Sequence, residues 1–161
     1  MKTLLIVSSY HHGNTLKVAH AIADCLQAEI VTPSQVQPDT LAAYDLVGFG
    51  SGIYSAKHHT QLLKLAEALH PAGGRRAFLF STDGMPRLAM MDESRIRKKL
   101  LSDHAALRKA LEAKGYTIVG DFGCAGYNTN SFLKLFGGLN KGRPNKDDIQ
   151  KAMIFAEALV Q

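Results

Sequence analysis

No stretch of this 161-residue chain approaches the roughly 18 consecutive apolar residues that a membrane-crossing helix needs, and no segment is of low complexity. A membrane span is therefore not expected. The first apolar run, Leu4-Leu5-Ile6-Val7, stops at Ser8. That is shorter than the ~7–15 residues of a secretion-signal core, so a cytoplasmic location is expected. Cysteine occurs only as Cys25 and Cys124, far apart and outside any C-x-x-C pattern. This excludes a zinc motif and a disulfide framework, and both thiols are expected to be small buried hydrophobes. No Asp, Glu or Cys joins the pairs His11-His12 and His58-His59 at a metal-ligand spacing, so no metal centre is expected. Tryptophan is absent altogether. The length suits one domain spanning residues 1–161, with a full core.

Acidic excess is also missing. The formal charge is +5, and Arg75, Arg76, Arg87, Arg95, Arg97, Lys98, Lys99, Arg108, Lys109 and Lys114 crowd the middle of the chain. The run from Arg95 to Lys99 lies in a helical pattern without interleaved aromatics. A solvated helix face explains it better than nucleic-acid binding, and an acidic protein or a small anion remains open as a partner.

The apolar pattern alternates between short continuous runs and amphipathic segments. Strands are expected at Leu4 to Val7, Ile30-Val31, Leu46 to Phe49, Ala77 to Phe80 and Thr117 to Phe122. Helical spacing links Leu16, Ala19, Ile22, Ala23 and Leu26, and then Leu62, Leu65, Ala66 and Leu69. It recurs in Ile96, Leu100, Leu107 and Leu111, and in Ile149, Ala152, Met153, Ala156 and Leu159. Continuous apolar strands joined by helices imply an α/β fold, a doubly wound parallel sheet with helices on both faces.

Such sheets bind ligands beyond the carboxyl ends of their strands. After strand one comes Ser9-Tyr10-His11-His12-Gly13-Asn14-Thr15, where Gly13 allows close backbone approach, Asn14 can cap the next helix, and the helix N-terminus favours an anion such as phosphate. After strand three, Gly50-Ser51-Gly52-Ile53-Tyr54-Ser55 combines permissive glycines with an aromatic suited to a planar ring. After strand four, Ser81-Thr82-Asp83-Gly84-Met85-Pro86 offers donors for polar ring edges. Residues 127–145 form a long connection carrying Phe132, Leu133, Leu135 and Phe136, which reads as a packed loop closing over the sheet edge or over a ligand.

With these three loops in this order, the chain resembles the flavodoxin family in its short form. The resemblance implies a five-stranded sheet of order 2-1-3-4-5 and FMN as cofactor. By the same resemblance, Ser9, His11, His12, Gly13, Asn14 and Thr15 hold the phosphate, Gly50, Ser51, Gly52, Ile53 and Tyr54 flank the isoalloxazine, and Ser81, Thr82, Asp83 and Gly84 follow its other side. The implied function is electron transfer with a redox partner protein. The basic charge differs from that of acidic electron shuttles, so an acidic partner is expected. Met85-Pro86 stands where shuttles commonly stack a tyrosine. An open flavin face there would admit a small oxidant or substrate, such as a quinone or porphyrinogen. His58 and His59 read either as an exposed first helical turn or as groups that exchange a proton near the flavin. A non-redox nucleotide or phosphate module on the same fold is the alternative of another class. A phosphoryl receiver is excluded, because no acidic cluster ends strands one and three.

Overall fold

The computed structural model describes residues 1–161 apart from 11, 86–91, 130–132, 134 and 136. Among the site residues expected from sequence, His11 lies outside the described residues, as do Pro86, Arg87, Phe132 and Phe136. The chain runs β1 (Thr3–Ser8), α1 (Asn14–Leu26), β2 (Glu29–Val31), two short 3-10 segments (Pro33–Gln35 and Pro38–Ala43), β3 (Leu46–Tyr54) and β4 (Lys57–His58). It continues through α2 (Thr60–Ala68), β5 (Arg76–Asp83), α3 (Glu93–Ala113), β6 (Thr117–Ala125) and α4 (Lys146–Ala158).

The sheet order is β2-β1-β3-β5-β6, with every neighbouring pair parallel. Counting only these five strands, that is the expected order 2-1-3-4-5. The sequence reading missed β4, a two-residue antiparallel partner of β3 that pairs Ile53 with His58 and Tyr54 with Lys57. The turn between them places Ser55 and Ala56 at φ 48 and 59. Hairpins of this left-handed kind are ordinarily signalled by Asn-Gly or Gly-Gly, and Ser-Ala carries no such signal.

Side-chain alternation splits the core into two layers. Leu5, Val7, Phe78, Phe80, Phe122 and Cys124 pack on one face with Val18, Ile22, Ala152 and Ala156 of α1 and α4. Leu4, Ile6, Val47, Phe49, Ala77 and Leu79 pack on the other with Leu62, Ala66, Leu107 and Leu111 of α2 and α3. Because both faces are covered, the inner strands read as continuous apolar runs rather than alternating ones. Cys25 is only partly buried at the margin of the first layer, which corrects the expectation that both cysteines are buried.

Each strand glycine in the first layer makes room for an aromatic ring. Gly48 and Gly120 flank Phe78 in register, and Gly50 lies beside Phe80. A Cβ on Gly48 would come within 2.4 Å of Phe78 and 2.7 Å of Leu5, and one on Gly50 within 2.1 Å of Phe80. The Phe78 ring also meets Phe155 of α4 edge-on at 5.7 Å.

Helix starts are individually explained. Asp92 accepts from the Ser94 N–H at α3, and Asn145 with Asp148 forms a reciprocal capping box at α4. At α1 the cap is Gly13 itself, at φ 63, with no side-chain cap, so Asn14 does not serve as the expected cap. Arg95, Arg97 and Lys98 are exposed on α3, as a solvated helix face requires.

The long connection after β6 folds back on itself. Asn128 bridges to Leu139, the Tyr127 hydroxyl donates to the Gly137 carbonyl at 3.1 Å, and Asn140 Nδ2 donates to the carbonyls of Met85 and Gly126. Its Leu135 is 84% exposed, so this residue plugs nothing.

The ring-over-glycine packing predicts that Gly48→Ala destabilises the fold by about 1–3 kcal/mol through overpacking. In urea unfolding, this appears as a lower midpoint with an unchanged slope.

Candidate functional site

The carboxyl ends of β1, β3, β5 and β6 enclose a cleft lined by Ser9, Tyr10, Asn14, Thr15, Gly52, Ile53, Tyr54, Thr82, Gly84, Gly126, Tyr127 and Asn128. The three sequence-expected loops thus converge. At one end stands the N-terminus of α1. The first helical bond runs from the Lys17 N–H to the Gly13 carbonyl, so the N–H groups of Asn14, Thr15 and Leu16 have no acceptor within the helix. Ser9 Oγ accepts from Leu16, at 3.3 Å. No acidic residue occupies the first turn.

Asn14 is buried and donates through Nδ2 to the Tyr127 carbonyl at 2.8 Å, while its Oδ1 meets no partner among the described residues. Thr15 Oγ1 lies 2.8 Å from Thr82 Oγ1, joining the start of α1 to the end of β5. These donors, with the helix dipole behind them, suit a phosphate-sized anion. His12 turns toward the opposite rim, with Nε2 2.7 Å from Thr129 Oγ1 and its ring 4.6 Å from that of Tyr127.

At the other end, Tyr54 folds back over Gly52, and a Cβ there would lie 3.0 Å from the Tyr54 hydroxyl. The Tyr54 and Tyr10 rings both contact the His59 ring, at 5.5 and 4.9 Å, and the Tyr10 hydroxyl donates to Gln61 at 2.7 Å. Beyond them opens a second groove of about 590 Å³, lined by Tyr10, Tyr54, Lys57, His59, Thr60 and Leu63 among others. His59 caps α2.

Several expected residues do not face the cleft. Gly50 borders Phe80 in the core. Ser51 and Ser81 point to the α3 side, where both are buried. Asp83 accepts from the Met85 N–H at 2.9 Å and pairs with Lys99 at 3.0 Å. Lys99 also bonds Asp103, so it is half-buried and leaves the basic face formed by its neighbours.

Behind the loops lies a polar cluster within an otherwise apolar layer. Ser51 Oγ donates to the Gly52 carbonyl at 2.8 Å and accepts from the His59 N–H at 2.9 Å. Its single hydrogen being spent, His58 Nδ1, 2.9 Å away, is the donor to it. His58 Nε2 is then a bare acceptor, and it has no partner among the described residues. The His58 ring lies 4.6 Å from that of His104, whose Nε2 is 2.9 Å from Ser81 Oγ and whose Nδ1 is 2.8 Å from Asp121 Oδ1. Arg108 holds the other Asp121 oxygen.

His58, 2% exposed and part of β4, is therefore not an exposed helical turn. Nothing in the local pattern announced Asp121, but His104 sits on the same helical stripe as Leu107 and Leu111, where a polar residue is out of place. Burial, and then the neighbouring His104, press the His58 pKa well below its usual 6.5. Burial alone would raise Asp121, but hydrogen bonds and charge from His104 and Arg108 outweigh it and hold the carboxyl below the ordinary aspartate value of 3.8.

Both shifts make acid destabilising. Unfolding exposes His58, which then binds a proton at pH values where the folded protein refuses it. Stability should fall as pH drops below 6.5, by at most about 1.4 kcal/mol per unit from this group, and Asp121 should add a second loss below 3.8. Urea midpoints measured from pH 7.5 to 5 should show the first slope in the wild type and a flatter profile in His58→Gln.

The sequence pattern of the flavodoxin domain matches residues 4–118 of this chain. An uncharacterized protein of Methanocaldococcus jannaschii is 45% identical over 161 residues, covering 100% of this chain and 99% of that one. Flavodoxin 2 of Bacillus cereus superposes with a TM-score of 0.69 at 16% identity, covering 99% and 98% of the two chains. The FMN-bound flavodoxin of Fusobacterium nucleatum gives 0.65 at 13% identity, covering 99% and 98%. With the flavodoxin domain matched over most of its length, this chain belongs to the flavodoxin family.

Proposed function

We propose that the protein carries FMN in this cleft and passes electrons between a reductase and a partner protein. FMN is the cofactor that membership of the flavodoxin family implies. The observation that carries the reading is the donor end of the cleft. A helix N-terminus without acidic residues, the Thr15 and Thr82 hydroxyls and the buried Asn14 amide face one space. Asp83, the carboxylate that follows Thr82, is paired with Lys99. That end suits a dianionic phosphate.

When bound, FMN supplies reversible uptake of electrons. The residues of this chain bind and orient it. Ser9, Gly13, Asn14 and Thr15 form the phosphate end, while His12 bonds Thr129 on the opposite rim and His11 lies outside the described residues. Gly52, Ile53 and Tyr54 form one wall of the ring site, and Thr82, Gly84, Gly126, Tyr127 and Asn128 the other. Gly50, Ser51, Ser81 and Asp83 act from behind that lining, by holding the loops in place. Among the described residues no helix is long and apolar enough to cross a membrane. The exposed cations of α3 complement an acidic partner surface, and such complementarity mainly accelerates encounter.

A second reading rests on the groove beside Tyr54. Its continuity with the cleft through Tyr10 and Tyr54 gives a small planar oxidant a place next to the cofactor, which would make the protein an oxidoreductase rather than a shuttle. Purified protein mixed with FMN should show bound-flavin absorbance that bleaches on stepwise reduction and returns on reoxidation. Protein that stays colourless would instead indicate a non-redox phosphate-binding module.

Two substitutions test the assignment of the two ends. Thr15→Val should weaken FMN about tenfold, the cost of roughly one hydrogen bond, and weaken riboflavin less, because riboflavin lacks the phosphate. Tyr54→Ala should weaken FMN and riboflavin alike. Titration by flavin fluorescence measures both, and equal losses of the two ligands in Thr15→Val would move the phosphate elsewhere.

A further inference from the structure

Outside the cleft lining lies the buried histidine pair, whose role here rests on the FMN reading above. We propose that His58 and His104 form the proton acceptor of the cofactor cleft, a proton from water binding His58 Nε2 when the cofactor is reduced.

Placement comes first. Ser51 and Ser81 stand immediately beside cleft-lining residues, Gly52 and Thr82, on adjacent strands in register. Ser51 bonds His58 and Ser81 bonds His104, so each imidazole is two bonded links from the cleft lining. The two rings meet at 4.6 Å, which makes the pair one unit beneath both loops.

Vacant capacity comes second. His58 is 2% exposed, its Nδ1 is committed to Ser51, and Nε2 is a lone pair without a donor among the described residues. Leaving such an atom unsatisfied in a core costs roughly 1–3 kcal/mol, so a purely structural role would favour an apolar residue.

Charge comes third. The titratable and charged groups on the elements packed around the pair are Lys57 of β4, His59 before α2, Asp83 of β5, Asp121 of β6, and Lys99, Asp103 and Arg108 of α3, of which Asp121 bonds His104 directly. Lys57 is exposed, and Glu112 reaches Arg108 from solvent. Of the rest, the carboxylates Asp83, Asp103 and Asp121 outnumber the fixed cations Lys99 and Arg108 by one. That excess favours one added proton on His58 once further negative charge arrives, whereas burial first and the proximity of His104 second resist it beforehand, in keeping with the depressed pKa of His58.

An electron entering the cleft changes this balance. It adds a negative charge on the cleft side of Ser51 and Ser81, which bond the pair, across buried groups where screening is weak. The electrons come from an external reductant and stay on the cofactor. The proton comes from water, and the one bond formed is N–H at His58 Nε2. Asp121, anchored by Arg108, keeps His104 oriented and its Nδ1 hydrogen in place.

The test uses FMN-loaded protein reduced with dithionite. Imidazole nitrogen NMR of the wild type, oxidised and reduced at pH 7, should show His58 Nε2 changing from unprotonated to protonated, and this measurement needs no variant. The equilibrium constant for reduction, measured against a reference dye from pH 5.5 to 8.5, should change with pH more steeply in wild type than in His58→Gln. The difference should approach tenfold per unit between the two His58 pKa values, as linkage of one proton requires. Rescue by a chemically unrelated polar residue at 58 is not expected. If flavin binds but the His58 nitrogen signals are the same in both states and the two pH profiles are parallel, the inference is overturned and the FMN reading stands. Failure to bind flavin at all overturns both.

Discussion

A parallel sheet buried on both faces leaves its strand ends as the place where polar groups can gather, and everything functional in this protein depends on that constraint. The inner strands have apolar side chains above and below, and their ladder bonds are consumed laterally. At the carboxyl edge the strands stop and α1 begins, so backbone N–H groups and short hydroxyl side chains face a shared space. The helix dipole adds a partial positive charge there. The edge therefore favours an anion before any specific side chain acts.

The contact between Thr15 and Thr82 ties the helix to the sheet at that edge. The aromatic packing behind it depends on glycines. Phe78 and Phe80 occupy the space that side chains on Gly48 and Gly50 would fill, and Phe155 of α4 occupies the space over Gly120, which brings α4 close to the sheet. Glycines that read in sequence as loop chemistry thus serve two ends of one strand. Gly48 and Gly50 are packing devices, whereas Gly52 borders the cleft.

The layer beneath the α3 helix is less uniform. Its inner part is apolar, but near the cleft it changes to serine, histidine and aspartate. Such a cluster is costly unless satisfied, and most of it is: Ser51, Ser81, His104 and Asp121 each have at least one short bond. Among the described residues His58 Nε2 has no partner, and this sets the cluster apart from ordinary core polarity.

Fold class and the three loops were legible in the residues because hydrophobic period and strand-end glycines are local signals, and the strand order followed from the family resemblance those loops carry. Leu4 to Val7 is a strand, and the stripe from Leu16 to Leu26 a helix, wherever they sit. The β3–β4 hairpin was not legible, since Ser55-Ala56 adopts its left-handed turn through pairing of Ile53 with His58 rather than by local preference. Nor could the pattern say that Ser51 and Ser81 turn from the cleft to meet His58 and His104, residues 7 and 23 positions away. Those partnerships exist because β3 and β5 lie side by side under α3, an outcome of packing between distant segments. The sequence by itself determined which stretches are strands, which helix end awaits an anion and how charge is distributed. Only the tertiary structure decided which polar side chains share the cleft and which are enclosed behind it, because burial and hydrogen bonding are set by neighbours remote in the chain.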